Sequence, residues 1–437
     1  MKKFRSSKFS RFTDLGKAVS KAGTQLLIEK LEGNASYENL RKINAAKEII
    51  KSMGELKGAV MKLGQMISVT EDLALPDEIL QLFKKLQNDA PKVPYDQMKK
   101  VIIDELGDEP EKLFANFNPI PIASASIGQV YQGITHEGIS FALKVQYPNI
   151  DRAIKSDLQN LDNLIKLFKI LFPQIPNLKP LIEELSQSII DECDYRIELE
   201  NILEFKEKFS DHKNIQFQEP IKEYCSKKTL MTVLIDGDNF DQTKKYPQDL
   251  KDKLGATLYQ FHLDQLFQKR IMHADPQNGN YLFKEDQIFI LDCGSIKRFD
   301  EDFVLSYALL THAIRNNDLE KFKFSLLKLK VINPTDSTDL IKKFFNVAKK
   351  IYLPYTKEGV YSPEQINPVN FVSDLFSEVK SLRNRPTPHR DFILLDRANI
   401  GIFTKLRAWQ SKINWQEGIS EFQIETEQYA IKYFASN

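Results

Sequence analysis

Residues Ile271–Phe299 read IMHADPQNGNYLFKEDQIFILDCGSIKRF. Asp275 stands five residues before Asn280 and 17 residues before Asp292, which opens Asp292-Cys293-Gly294. Phosphoryl transfer of the kinase type uses such groups in this order. One carboxylate orients the nucleophile and takes its proton, while an amide oxygen and a second carboxylate hold the magnesium that bridges the nucleotide phosphates. The apolar run between Asn280 and Asp292 reads as strand, and the spacing is that of a catalytic loop and a metal-binding loop joined by a β-hairpin. Each piece alone is a weak signal; together they are a strong one.

Upstream, Thr229–Ile235 (TLMTVLI) reads as a strand that ends at Asp236-Gly237, a hinge. Further back, Ala123-Ser124-Ala125-Ser126 forms a small-residue turn after Pro119 and Pro121. An alternating β pattern follows it and continues past Gly138 into Ile139–Val145. Lys144 falls in the middle of that second strand. A Lys there pays desolvation unless it meets an anion such as phosphate, or snorkels from an edge.

Between these strands, 151–172 reads as an amphipathic helix, with Pro173, Pro176 and Pro180 after it. A second helix is expected from Leu181 to Phe209, carrying Glu192, Asp194 and Glu198. Glu198 lies four residues beyond Asp194, near the same face, and one of these acids could neutralise Lys144. A solvated charged face is the plainer reading.

Toward the N-terminus, helical periodicity over Ser36–Leu86 is interrupted by Gly54, Gly58 and Gly64. It contains Lys62-Leu63-Gly64-Gln65, a cation and an amide three residues apart on one helix face. By composition this is a solvated pair beside a packing Gly. Tyr95–Leu106 reads as a further helix. Residues 1–22 carry Lys2, Lys3, Arg5, Lys8 and Arg11 among Phe4, Phe9 and Phe12. Such a segment suits an anionic membrane surface or a frayed, solvated terminus.

Downstream of the opening stretch the pattern is helical: Phe303–Leu329, Leu340–Tyr352, Val369–Leu382 and a last region through Phe434, with Leu250–Phe267 ahead of it. His389-Arg390-Asp391 spells the start of the usual kinase catalytic loop, but Asp396 stands where Asn is required and no Asp-x-Gly follows. It reads as a helix N-terminus or a salt-bridging surface.

Composition sets the outer limits. The 437 residues suffice for two or three lobes, and 42% apolar with 28% charged residues is ordinary for a globular chain. With 61 basic against 60 acidic residues there is no footprint for nucleic acid. Three scattered cysteines give neither a disulfide framework nor a zinc motif, and point to a reducing compartment. No apolar run reaches the roughly 18 residues of a membrane span, and no signal-peptide core opens the chain. The expectation is a cytoplasmic protein, peripheral to membrane at most.

Taken together, Lys62-Leu63-Gly64-Gln65, the Ala/Ser loop at 123–126, Lys144, Glu192-Cys193-Asp194 and the 273–294 motif resemble the UbiB/AarF family of atypical kinases, associated with ubiquinone biosynthesis. The resemblance spans roughly residues 40–300. It implies an α+β, mostly helical, protein-kinase-like bilobal fold with an N-terminal helical extension. The expected divisions are a basic arm at 1–35, the extension at 36–108, an N-lobe with a helical insertion at 109–236, and a helical C-lobe at 237–437.

The resemblance also implies roles. Ala123, Ser124, Ala125 and Ser126 replace a Gly-rich loop over the nucleotide. Lys144 meets the phosphates and pairs with a helix acid, for which Glu198 is preferred. Leu234, beside the hinge, lines the same site. Asp275 is the catalytic carboxylate, with Asn280 and Asp292 as magnesium ligands. Lys62 and Gln65 project into the substrate side, Lys62 meeting Glu192 and Asp194. The cofactors are ATP or ADP with Mg2+, and the expected partners are an anionic membrane surface or isoprenoid lipid, ubiquinone-biosynthesis proteins and a second copy of the chain.

Two departures stand out. Gln277 and Asn278 replace the second His and the Pro of the family's His-x-Asp-x-His-Pro-Gly-Asn, putting the rigidity of this loop in question, and no C-terminal transmembrane pair is found. A nucleotide-binding pseudokinase that scaffolds or binds lipid is the alternative. A small-molecule phosphotransferase would share the Asp275 and Asp292 motifs but leaves Lys62–Gln65 and Glu192–Asp194 unexplained.

Overall fold

The computed structural model describes residues 93–125, 127–155, 158, 186–187, 189–352, 359–363, 390–415 and 421–436. The basic arm, the extension through residue 92 with Lys62 and Gln65, Ser126, most of the 151–172 helix and Val369–Leu382 lie outside the described residues. The chain divides into two compact units. One takes the described residues through Ile197 with Pro220–Leu234; the other takes Glu198–Glu219 and the described residues from Ile235 onward.

Helix α1 (Tyr95–Leu106) has the expected bounds and buries Met98, Val101 and Ile102. It stops at Gly107, whose φ of 90° lets its N–H reach the Ile103 carbonyl at 2.8 Å. After α2 (Pro110–Leu113) come β1 (Asn116–Phe117), β2 (Ala123–Ser124), β3 (Gly128–Ile134) and β4 (Ser140–Gln146). Strand β3 pairs antiparallel with β4, placing Val130 opposite Lys144. Tyr131, Phe141, Leu143 and Val145 are buried, the inward half of the alternation.

The stretch expected as one helix from Leu181 to Phe209 is broken. A helical turn at 189–192 ends before Cys193, and α3 (Tyr195–Lys208) starts anew. Asp194 supplies the reason. Its Oδ1 accepts the Arg196 backbone N–H at 3.1 Å, an N-cap bond that competes with helix continuation. Asp194 is therefore the cap of α3 and Glu198 lies in its first turn.

Strand β5 (Ile215–Phe217) belongs to the second unit and β6 (Thr229–Val233) to the first. The first unit's sheet runs β1-β3-β4-β6, with β2 also on β3. In the second unit, α4 (Phe240–Thr243) is closed by an Asn239–Gln242 capping box and leads to α5 (Gln248–Phe267). The latter half of α5 is buried almost all round, Phe261–Phe267 included, as a central helix must be.

Next come β7 (Ile271–His273), β8 (Tyr281–Lys284), β9 (Gln287–Ile290) and β10 (Ile296–Arg298). Strands β8 and β9 make the hairpin anticipated between the two loops, β5 joins β9 in parallel, and β7 pairs antiparallel with β10. The helix expected over Phe303–Leu329 is two, α6 (Glu301–Arg315) and α7 (Leu319–Lys328). Asn317, at φ 56°, turns the chain, and the Asp318 carboxylate caps α7 by accepting from Lys321 N at 3.0 Å. Then follow α8 (Thr338–Ile351), β11 (Val360–Tyr361), α9 (Arg390–Trp409), β12 (Ile413–Asn414) and α10 (Glu421–Ser436). Among the described residues no helix is long and apolar enough to cross a membrane.

Candidate nucleotide site

Asp275 follows β7 directly, and the loop from it to Asn280 is closed from within. The Asn280 side-chain amide donates to the Asp275 carbonyl at 3.1 Å and to Asp275 Oδ2 at 3.2 Å, and Asn280 N–H reaches the Gln277 carbonyl at 3.1 Å. With its nitrogen turned to Asp275, Asn280 presents Oδ1 as the end suited to a cation. Leu291 N–H bonds the Asn280 carbonyl at 2.9 Å, which sets Asp292 next to Asn280 across the open end of the β8–β9 hairpin. Asp292 Oδ1 accepts Gly294 N–H at 2.8 Å, fixing the carboxylate over its own turn. A carboxylate and an amide oxygen are hard donors, the kind that would suit Mg2+.

Side chains from distant elements hold these two loops. Gln265 on α5 accepts His273 N–H at 2.7 Å, and His273 Nε2 bonds the Asp292 carbonyl. His273 thus ties β7 to the Asp292 loop. Asn201 on α3 donates to the Cys293 carbonyl at 2.9 Å and accepts from Arg298 at 3.1 Å. Glu198 sits one turn earlier on α3 and is buried at 4% exposure.

Helix α9 reaches the same stretch. Lys405, only 1% exposed, donates to the Pro276 carbonyl and holds its Nζ 4.7 Å from the Tyr281 ring centre. Burial pulls its ammonium down to about 8, partly offset by the nearby Asp275 carboxylate. Asp391, from the triplet that imitates a catalytic loop, is the buried partner of Lys297 at 2.8 Å. It does stand at a helix N-terminus, but inside the protein rather than on a salt-bridging surface. Sequence alone singled out none of Asn201, Gln265 or Lys405. The only hint for Lys405 is a cation inside the mostly apolar run Ile400–Trp409.

In the first unit, Ala123 and Ser124 are not a free loop but strand residues, opposite Val130 and Gln129. The Ala125 N–H bonds the Gly128 carbonyl at 2.9 Å, so the small-residue segment is a tight hairpin. Gly128 is required there. A Cβ would lie 2.2 Å from the Val145 carbonyl oxygen and 3.0 Å from the Tyr195 hydroxyl. Lys144, half-buried on β4, sets its ammonium 5.0 Å from the Tyr195 ring centre. Leu234 follows β6, its N–H on the Ser140 carbonyl at 2.9 Å.

The Glu192 carbonyl accepts from Gln146 at 3.3 Å, and the Asp194 carboxylate is gripped by Arg196 at 2.8 and 2.5 Å, which holds it below the usual carboxylate range. Lys62, Gln65 and Ser126 lie outside the described residues. Lys144 belongs to the first unit, while Glu198, Asp275, Asn280 and Asp292 belong to the second.

Comparison with known proteins agrees with the fold. The family model for the ABC1 atypical kinase-like domain matches residues 85–326. The mitochondrial atypical kinase COQ8B of Rattus norvegicus is 26% identical over 404 residues, covering 90% of this chain and 76% of the relative. The mitochondrial atypical kinase COQ8 of Saccharomyces cerevisiae is 29% identical over 268 residues, covering 61% of this chain and 53% of the relative. The structure of the Rv3197–erythromycin complex from Mycobacterium tuberculosis has the same fold, with a TM-score of 0.59 at 23% identity over 87% of this chain and 95% of that one. The α+β architecture is thus kinase-like, and the chain belongs to the ABC1, or UbiB-type, family of atypical kinase-like proteins.

Proposed function

We propose that the chain is a magnesium-dependent ATPase or atypical kinase that works at an anionic membrane surface in support of ubiquinone or other isoprenoid-lipid metabolism. The observation that carries this reading is the mutual closure of Asp275 and Asn280 beside Asp292, on two loops joined by one hairpin. When bound, magnesium would neutralise charge on the nucleotide phosphates. Asn280 Oδ1 and the Asp292 carboxylate would hold it, and Asp275 would orient the attacking hydroxyl or water and take its proton. Lys144 would meet the phosphates, with the hairpin at Ala123–Ala125 approaching them past small side chains. Lys62 and Gln65 would close the substrate side. An anionic membrane surface or isoprenoid lipid met by the basic arm, ubiquinone-biosynthesis proteins and a second copy of the chain are the proposed contacts beyond the nucleotide.

The test is binding of Mg-ATP by calorimetry and its hydrolysis with and without anionic liposomes. Wild type should bind and turn over, faster on liposomes, and Asp292→Asn should lose at least about a hundredfold in turnover. Failure of the wild type to bind magnesium-nucleotide at all would sink the proposal. Gln277 and Asn278 favour a second reading, a pseudokinase scaffold that binds without turnover. An unchanged biological readout in both Asp275→Asn and Lys144→Ala would select it.

A further inference from the structure

The loop from Asp275 to Asn280 has Gln277 and Asn278 where the family pattern has His and Pro, and one face of α9 is built against it. Gly401 lets the helix backbone abut the Pro276 ring: a Cβ there would lie 2.2 Å from Pro276 Cγ and 2.3 Å from its Cβ. One turn on, Lys405 lies at the same face and its ammonium donates to the Pro276 carbonyl. Tyr281 and Phe240 present rings to that ammonium at 4.7 and 6.0 Å.

Among the described residues no carboxylate stands at ion-pair distance, so a carbonyl of the loop is its principal polar partner. Even with the Asp275 carboxylate acting on it from beyond ion-pair distance, a buried ammonium whose hydrogen bond goes to one carbonyl is a costlier filler of this space than Leu or Met. The helix is itself anchored at two further points of the same region, Asp391 to Lys297 at 2.8 Å and Asn399 to His262 at 2.7 Å. Lys297 lies on β10, paired with Met272 of the strand that delivers Asp275.

We infer that Lys405 is a positioning residue: with Gly401 it clamps Pro276 and so sets the backbone from which Asp275 and Asn280 project. The helix thus braces from outside a loop that Asn280 already closes from within. Its consequence for catalysis rests on the function proposed above; the clamp itself does not.

Hydrogen exchange read by mass spectrometry on the full, nucleotide-free chain tests it. In Lys405→Met the amides of 277–281 should exchange about tenfold faster while those of α6 keep their protection, and Lys405→Arg should restore most of the difference. Gly401→Ala, which keeps the ammonium but displaces Pro276, should loosen the same amides, and it decides the matter should Lys405→Met not fold. Unchanged exchange at 277–281, or equal acceleration in α6, overturns the clamp. With Mg-ATP, kcat of Lys405→Met should fall about tenfold with nucleotide Kd held within about twofold. A lost Kd at unchanged kcat would overturn the positioning role. A wild type that binds no nucleotide would refute the proposed function, and the exchange result would still judge the clamp.

Discussion

Lys144 owes its place to strand register, Asp275 to side chains that arrive from helices far along the chain. Around Lys144 the backbone ladders of β3, β4 and β6 fix every position, and a neighbouring Tyr195 ring accommodates the ammonium. Around Asp275 the regular structure is short: β7 has three residues, and the loop leans on Gln265, Asn201, His273 and Lys405. A ladder spreads its stabilisation over many bonds. A loop held by single side chains concentrates it, so substitutions should expose the second unit far more than the first.

The largest effect expected on stability comes from Lys405. Its folded-state value of about 8 lies below the 10.5 of an exposed lysine, so between these pH values the unfolded chain binds more protons than the folded one. Below pH 8 the folded protein bears the full cost of the buried charge, and the cost disappears as pH rises toward 10.5. Wild type should therefore gain up to about 3 kcal/mol relative to Lys405→Met across that window. Denaturant midpoints of the two proteins, compared from pH 7 upward, check this; a constant difference would contradict it.

Smaller is the effect of Asn201→Ala, which removes the donor to the Cys293 carbonyl and the acceptor for Arg298. A loss of about 1–3 kcal/mol is expected from the polar groups left behind, with the Asp292 loop exchanging faster. Smallest is Asp194→Ala in the first unit, the loss of an N-cap at about 1 kcal/mol, read as a shift in urea midpoint. If Asp194→Ala cost more than Asn201→Ala, the contrast between ladder and loop would fail.

The same contrast explains what could be read before the fold was known. Tyr95–Leu106, the β3–β4 hairpin and the hairpin between Asn280 and Asp292 are local patterns, written in apolar spacing and in Gly138. The breaks at Asp194 and Asn317 leave no mark in the apolar periodicity, which runs on through both, while one carboxylate cap and one residue at positive φ decide the geometry. Ala123 and Ser124 read as loop because small residues carry little strand preference; the ladder to Val130 and Gln129 overrides it. Lys405, Asn201 and Gln265 carry no local signature. Only the tertiary fold brings them to Asp275 and Asp292.

The contact between Lys405 and Pro276 spans 129 residues of chain. On a ribosome working at about 5–20 residues per second, the Asp275 loop is synthesised many seconds before the helix that braces it. A nascent chain, or a product truncated before Arg390, therefore holds every proposed nucleotide ligand without the brace. Synthesis of that helix is the step that adds the brace.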